Sequence, residues 1–307
     1  MLAFTARRIV GLIPALLVIV TVSFFIIRLA PGGPFDEEQT LPAQVRANLD
    51  RAYGFDQPLP MQYVRYVRGL LHGDLGPSLR QRDYSVAELI SAGLPVSAML
   101  GACAIVLALL GGVALGVTAA LWRGSGADIG IAGFVALAIA LPSFVTGPVL
   151  ALLFGLYLHW LPVAGWEEGA PRYLVLPVLT LGLPVMAYVA RLTRGSLAEV
   201  LRANFILTAR ARGLGGLRIL VHHALRPALL PVVSYLGPAV AFVVTGSLVV
   251  ETVFALPGTG KYLVQGAINR DYTLVMGMII LYGTLTLLLN LAADLLYGWL
   301  DPRVRHE

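Results

Sequence analysis

Charge is what this sequence most lacks. Asp, Glu, Lys and Arg make up 13% of its 307 residues, about half the ~25% of an ordinary soluble domain, so water is not the main solvent of its surface. Cysteine is almost absent: Cys103 stands alone, which excludes a disulfide framework within the chain. There are five histidines, yet no H-E-x-x-H, no G-x-S-x-G elbow and no Cys/His cluster at metal spacing, so catalysis of those kinds has no residues to run on. His222 and His223 are neighbours, and on a helix they would point about 100° apart rather than share a metal; they are expected in a loop or interface. The polar/apolar alternation of barrel strands is missing as well.

Apolar residues fill the space that charge leaves. They amount to 58% of the chain and collect in six runs without Asp, Glu, Lys or Arg: 9–27, 89–122, 129–166, 173–190, 227–250 and 272–293. A helix needs about 20 such residues to cross the hydrocarbon core of a bilayer, and helices satisfy their own backbone there. Six transmembrane helices are expected. The first run follows a basic start but exceeds the roughly 7–15 residues of a signal-peptide core, and no A-x-A site precedes the PGGP that ends it; an uncleaved span is expected. Ionisable groups inside a membrane usually mark ion pathways, and the only acidic residue read near a span is Asp294, toward the end of the sixth. No proton relay is expected. Pro142, Pro177, Pro184 and Pro231 read as kinks, and Gly111, Gly112, Gly116, Gly237 and Gly246 as places of close helix packing. No matching pair of interrupted spans, the mark of many secondary transporters, is found.

Arginine sets the orientation. Twelve arginines in short loops and tails fall on one side (Arg7, Arg8, Arg123, seven from Arg191 to Arg226, Arg303 and Arg305) against Arg172, Lys261 and Arg270 on the other. The rich side is expected to be cytoplasmic, with both termini there. The net charge of +5 is then an insertion signal and calls for no nucleic acid. Trp122, Trp160, Trp166 and Trp299 all stand at or just beyond span ends, where indole prefers the headgroup layer.

Residues 31–93 form an exported helical lobe on this reading. LPAQVRANLDRAYG predicts a helix ending at Gly54, and PMQYVRYVRGLLHG places Tyr63, Tyr66, Val67, Leu70 and Leu71 on one helical face. Ser85 and Glu88 match a capping box. A solvated cap over span ends and a docking surface for an external partner both fit these residues. PGTGK at 257–261 resembles the end of a phosphate-binding loop, but Ala255 takes the first glycine position and Tyr262 the hydroxyl position, so this chain is not expected to bind ATP.

The remaining anomaly is TARARGLGGLRILVHHALRPALLP, starting at Thr208, which breaks an oily chain with four arginines, two histidines and three glycines. It lies in the loop from Arg191 to Arg226. Ser196 and Glu199 match a capping box, a helix is expected to end at Gly213, and a second one from Leu217 to stop before Pro227. The arginines fit an anchor lying along lipid headgroups. The apolar side made by Leu207, Leu214, Leu217 and Leu220, with the fixed bend at Gly-x-Gly-Gly, fits a protein-docking element.

This stretch resembles the cytoplasmic loop of binding-protein-dependent ABC importer permeases, in the variant of the peptide and nickel class. IRLAPGGPF, HGDLGPS, YSVAELI, LPVSAMLG, LPSFVTG, LPVAGW, YVARLTRGSL, ETVFALPGTGKYL, AINRDYT and DLLYGWLDPRVR extend the resemblance over essentially the whole chain, toward the B-type oligopeptide permease subunits. The resemblance implies an all-α integral membrane protein of type I importer fold. Its parts would be the N-terminus and first helix (1–30), an extracytoplasmic lobe (31–93), a type-1 transmembrane domain (94–298, five helices, coupling loop 192–226) and a cytoplasmic tail (299–307), in the inner membrane. It implies a second six-span permease, two ATP-binding subunits that hold ATP and Mg, an extracytoplasmic peptide-binding protein, and membrane lipid around them. Thr208, Ala209, Arg210, Arg212, Gly213 and Arg218 occupy the ATPase-coupling motif. Leu207, Thr208 and Ala209 stand where the general motif has Glu-Ala-Ala, and Lys261 and Gly215 also depart from the pattern. Without groups to exploit a gradient, energy would enter through this loop, and the alternative is an ion-coupled secondary transporter or channel. An apolar pathway lining would suit peptides of varied sequence; the cargo could also be nickel chelates.

Overall fold

The computed structural model describes residues 2–30, 33, 42–81 and 83–300. Most of the PGGPF segment and the tail beyond Leu300, with Arg303 and Arg305, fall outside them. The regular secondary structure of the described residues is helical, and their only strand-like feature is an isolated bridge between Pro77 and Ser85.

Five helices are long and apolar enough to cross a bilayer, within α1 (Leu2–Leu29), α4 (Val86–Leu121), α7 (Arg172–Val200), α11 (Leu230–Val253) and α13 (Tyr272–Leu300). The sixth is broken. The run 129–166, read as one span, contains α5 (Gly126–Ala140) and then Ser143–Tyr157, bent from it by 110°. Pro142 causes the break rather than a kink. Its ring disfavours helix at the preceding residue, and Leu141 is extended at φ −83°, ψ 120°. Beyond it, α6 (Ser143–Leu150) passes into a π-helical stretch, Ala151–Tyr157.

The chain divides into two compact units. In the first (residues 1–9, 98–256 and 286–307) the expected glycine contacts are present. A Cβ on Gly112 would lie 2.7 Å from the Met186 carbonyl oxygen, and one on Gly116 would lie 2.6 Å from that of Ala190. Only glycine lets α4 approach the α7 backbone so closely. Tyr188 of α7 stacks on Tyr235 of α11 with centroids 5.5 Å apart. Asp294 pairs with Arg8 at 2.7 Å, which gives it a structural partner. It is not the only carboxylate near a span, as the sequence suggested: Asp128 and Glu251 are both buried, in the first turn of α5 and near the end of α11.

The second unit holds residues 10–97 and 257–285. Its lobe contains α2 (Ala43–Tyr53), closed by Gly54 at φ +71° as expected, and α3 (Leu59–Leu71). Tyr63 seats α3 on α1. It stacks on Phe25 at 5.6 Å, meets the buried Phe24 edge-on at 5.3 Å and shares a 2.7 Å hydrogen bond with Thr21. Burial pushes the phenol of nearby Tyr66 above its ordinary range. The Ser85–Glu88 capping box forms, with the Glu88 carboxylate accepting from the Ser85 N–H at 2.7 Å; α4 starts behind it and runs on without interruption through residues 93 and 94.

Two sequence motifs meet at Asp271, whose side chain is buried. Its Oδ2 accepts from Ser78 Oγ at 2.5 Å and from the N–H groups of Leu79 and Arg80 at 3.0 and 3.3 Å, while Oδ1 accepts from the Leu274 N–H at 3.0 Å. Thus AINRDYT clamps the strap that follows HGDLG. PGTGK opens α12 (Thr259–Ile268), and its Thr259 N–H donates to Ser97 Oγ at 2.9 Å, so that amide is spent inside the fold.

Candidate functional site

The loop that the sequence singles out is an elbow between two spans. Its first half differs from expectation. Ser196 and Glu199 lie inside α7, which continues to Val200. A capping box works only on orphan N–H groups, and at Glu199 the helical ladder already uses them. The break comes instead at Leu201–Ala203, where Arg202 and Ala203 donate three residues back, to the carbonyls of Glu199 and Val200, at 3.0 Å each. This tightens the helix end. Ala203 then turns extended (ψ 148°) and α8 runs Asn204–Ala211 without a side-chain cap.

Gly213 ends α8 as expected. It sits at φ +78°; its N–H reaches the Arg210 carbonyl at 2.9 Å, and the Leu214 N–H reaches that of Ala209 at 3.3 Å. This pair of bonds is a Schellman closure, which needs the left-handed conformation that glycine adopts without strain.

The second half does not stop before Pro227. α9 (Gly216–Arg218) leads into a π-helical stretch, Ile219–Ala224, and α10 (Leu225–Ala228) carries Pro227 within it. The wider π turn moves aside the carbonyls a proline ring would strike. His222 and His223 are therefore helical, not loop residues. Leu229 keeps helical angles, and α11 follows at once.

An apolar cluster fixes the bend. Ala120, Leu197, Ile206, Ala209, Ile219, Ala224 and Ala228 are buried together, with Leu214 and Leu220 packed on them. Fully burying one such large side chain is worth roughly 1.5–3 kcal/mol, so the elbow is held to the ends of α4, α7 and α10.

The predicted site residues divide between two faces. Ala209 points into the cluster, whereas Thr208, Arg210, Arg212, Gly213 and Arg218 are exposed; Thr208 Oγ1 donates back to the Asn204 carbonyl at 3.0 Å. The four leucines also separate, since Leu214 and Leu220 turn inward while Leu207 and Leu217 are 52% and 75% exposed. Sequence reasoning missed Phe205 and Val221, each about half exposed. The signal for Phe205 was its place beside Ile206, for on so short a helix adjacent residues cannot both face inward. From Asn204 to Arg226 there is no carboxylate in the sequence. The elbow thus presents apolar knobs in a basic field, which suits gripping another protein and provides no acid–base or nucleophilic pair.

A multi-pass helical chain that packs a folded, exposed elbow between two of its spans has the architecture of a membrane transport component. More narrowly, residues 112–306 match the family of binding-protein-dependent transport system inner membrane components, and residues 1–84 match the N-terminal domain of such components; the chain belongs to this family of type I permeases. It is 49% identical to the oligopeptide transport system permease protein OppB of Escherichia coli over 306 residues, covering all of both chains. It is 40% identical to the dipeptide transport system permease protein DppB of Bacillus subtilis, over 99% of this chain and 98% of that one. With the di/tripeptide transport system permease protein DppB of Pseudomonas aeruginosa the identity is 37%, over the full length of both. The chain is a multi-pass inner-membrane permease, a component of a larger transport system.

Proposed function

We propose that this chain is one membrane half of an ATP-driven peptide importer, and that its elbow is where the energy enters. The peptide cargo is supported by full-length similarity to permeases whose names specify oligopeptides, dipeptides and tripeptides. In this reading a second six-span permease completes the pathway, an extracytoplasmic binding protein delivers the peptide, and two ATP-binding subunits hold ATP and Mg on the cytoplasmic side. This chain hydrolyses nothing itself. Both termini and the elbow face the cytoplasm, as the arginine distribution favours, and residues 31–93 face outward.

The observation that carries the reading is the elbow's two-sidedness. Ile206, Ala209 and Ile219 are buried in the chain's own core while Phe205, Leu207 and Leu217 project from the same short helices. Thr208, Arg210, Arg212 and Arg218 surround those knobs and would meet an ATPase groove with acidic groups at its rim; Ala209 and Gly213 hold the shape. A docked helix biases the spans through contacts that differ between two states. Reconstitution tests this. Liposomes with all subunits should take up labelled peptide only with internal or external ATP reaching the ATPases, and the chain alone should accumulate nothing under a sodium or proton gradient. Gradient-driven uptake by the chain alone would overturn it.

A further inference from the structure

Of the 22 Lys and Arg residues in the sequence, Lys261 is the only lysine, and the elbow makes no use of it. It stands exposed in the first turn of α12. With Gln81, Tyr84, Glu88, Tyr262 and Gln265 it lines a cleft of about 490 Å³, inside the second compact unit and on the arginine-poor side of the chain. Clefts of roughly 300–1,000 Å³ are the size that small molecules occupy.

The walls of this cleft are fixed to one another. Thr259, at the start of α12, donates its N–H to Ser97 Oγ of α4 at 2.9 Å, and its hydroxyl lies 2.9 Å from Ser97 Oγ and 2.8 Å from the Tyr282 hydroxyl. Gly93 permits that approach, since a Cβ there would stand 2.9 Å from the Thr259 nitrogen. Two charged groups on these walls keep unused capacity. Glu88 takes both Ser85 bonds, at 2.7 and 2.8 Å, on Oε2, and its Oε1 accepts from no described residue. The Lys261 ammonium, with three donors to give, has no hydrogen-bond or ion-pair partner among the described residues. The described lining thus carries one cation and one anion. A zwitterion matches both, whereas an ion of either sign pairs with one and leaves the other facing it. The side-chain amides of Gln81 and Gln265 each offer a donor and an acceptor, as a peptide bond does, and Tyr84 and Tyr262 add broad apolar faces that call for no particular side chain.

We infer that this cleft receives a short, unblocked peptide by its two ends: Lys261 takes the C-terminal carboxylate and Glu88 Oε1 the N-terminal ammonium. The inference rests on the peptide-importer reading and adds to it a recognition step on the permease itself, set by the termini rather than by the sequence between them.

The test is isothermal titration calorimetry of the purified transporter, without its extracytoplasmic binding protein, against trialanine, N-acetyl-trialanine and trialanine amide. Wild type should bind trialanine tightest and each blocked form about fivefold more weakly, the upper end for an exposed ion pair. Lys261→Gln should weaken trialanine by the same factor and leave trialanine amide unchanged. Glu88→Gln keeps the cap, which glutamine also forms, and should weaken trialanine while leaving N-acetyl-trialanine unchanged. Equal binding of the three peptides by wild type overturns the inference, as do variants that weaken all three alike. Loss of the extracytoplasmic binding protein from variants that still bind trialanine normally assigns the cleft to protein docking and overturns it as well. ATP-driven trialanine uptake by the same preparation, reconstituted with the binding protein, separates this site from the reading beneath it. Uptake accompanied by binding that ignores the termini overturns the site alone, and no uptake of any peptide overturns both.

Discussion

Replacing Gly213 with valine isolates the elbow's shape from its chemistry. At φ +78° an L-residue is disfavoured by roughly 1–2 kcal/mol, and a β-branched one by more. The two closing bonds, from Gly213 to Arg210 and from Leu214 to Ala209, depend on that conformation and contribute about 0.5–1.5 kcal/mol each. Together the native bend loses about 2–5 kcal/mol, at least about a 30-fold shift in its population. The added side chain meets no neighbour, since nothing lies within 4 Å of a Cβ there, so the penalty is conformational. The spans and the apolar cluster are untouched, and insertion and assembly should proceed.

The assay is ATP-dependent peptide uptake by proteoliposomes across a series. Asparagine tolerates the left-handed conformation and should keep most of the activity, alanine should fall between, and valine should reduce uptake at least tenfold. A valine variant with wild-type uptake would refute the reasoning. An asparagine variant as poor as valine would do so too, for it would mean that bulk at the surface, not backbone conformation, is what matters.

Two further substitutions probe the frame around the site. Asp271→Asn keeps one acceptor but turns the other into a donor facing N–H groups, and should lower stability by about 2–3 kcal/mol. It is seen as a lower melting temperature and faster amide exchange at residues 78–80; unchanged exchange there would mean that the strap is held by something else. Gly112→Leu drives a side chain into the α7 backbone, a cost of at least about 1–3 kcal/mol; yield and melting temperature in detergent should both fall, whereas Gly195→Leu, placed in open space, should leave them unchanged.

How much of this was legible in the sequence depended on whether a signal was local. Gly54, Gly213 and the Ser85–Glu88 box act within a few residues, and all three appear where the residues placed them. Ser196 and Glu199 carry the same pattern without effect, because a cap needs a helix start and there the helix was already under way. Pro142 and Pro227 show the same limit from the other direction. One breaks its run by 110°, the other is absorbed by a π stretch, and the difference lies in the neighbouring backbone rather than in proline itself. Asp271 and Asp128 could not be read at all: their partners are 193 and 66 residues away, and no periodicity encodes a contact of that kind. At the elbow the set of exposed arginines was legible from composition, but the inward turn of Leu214, Leu220 and Ala209 was not, since which side of a short helix is buried is decided by the spans it lies on.

That inward turn would make a docked elbow a lever rather than a tether. A docked helix joined to its spans by flexible linkers would let the motor move without moving the pathway. Here Ile206 and Ala209 of α8 share one cluster with Leu197 of α7, Ala120 of α4 and Ala228 of α10, so displacement of α8 must be transmitted or the cluster must open. Ile206→Ala, at a residue with 0% exposure, should weaken that weld by about 2–5 kcal/mol while leaving Phe205, Leu207 and the arginines available for docking. The expected result is uncoupling: the assembled transporter should keep its ATP-binding subunits and hydrolyse ATP at near the wild-type rate, but move several-fold less peptide per ATP. Phe205→Ala should behave oppositely, lowering subunit retention and leaving the peptide-to-ATP ratio of the remaining complexes intact. If Ile206→Ala preserves the ratio, the force does not travel through the cluster, and the two faces of the elbow do not have the separate duties assigned to them.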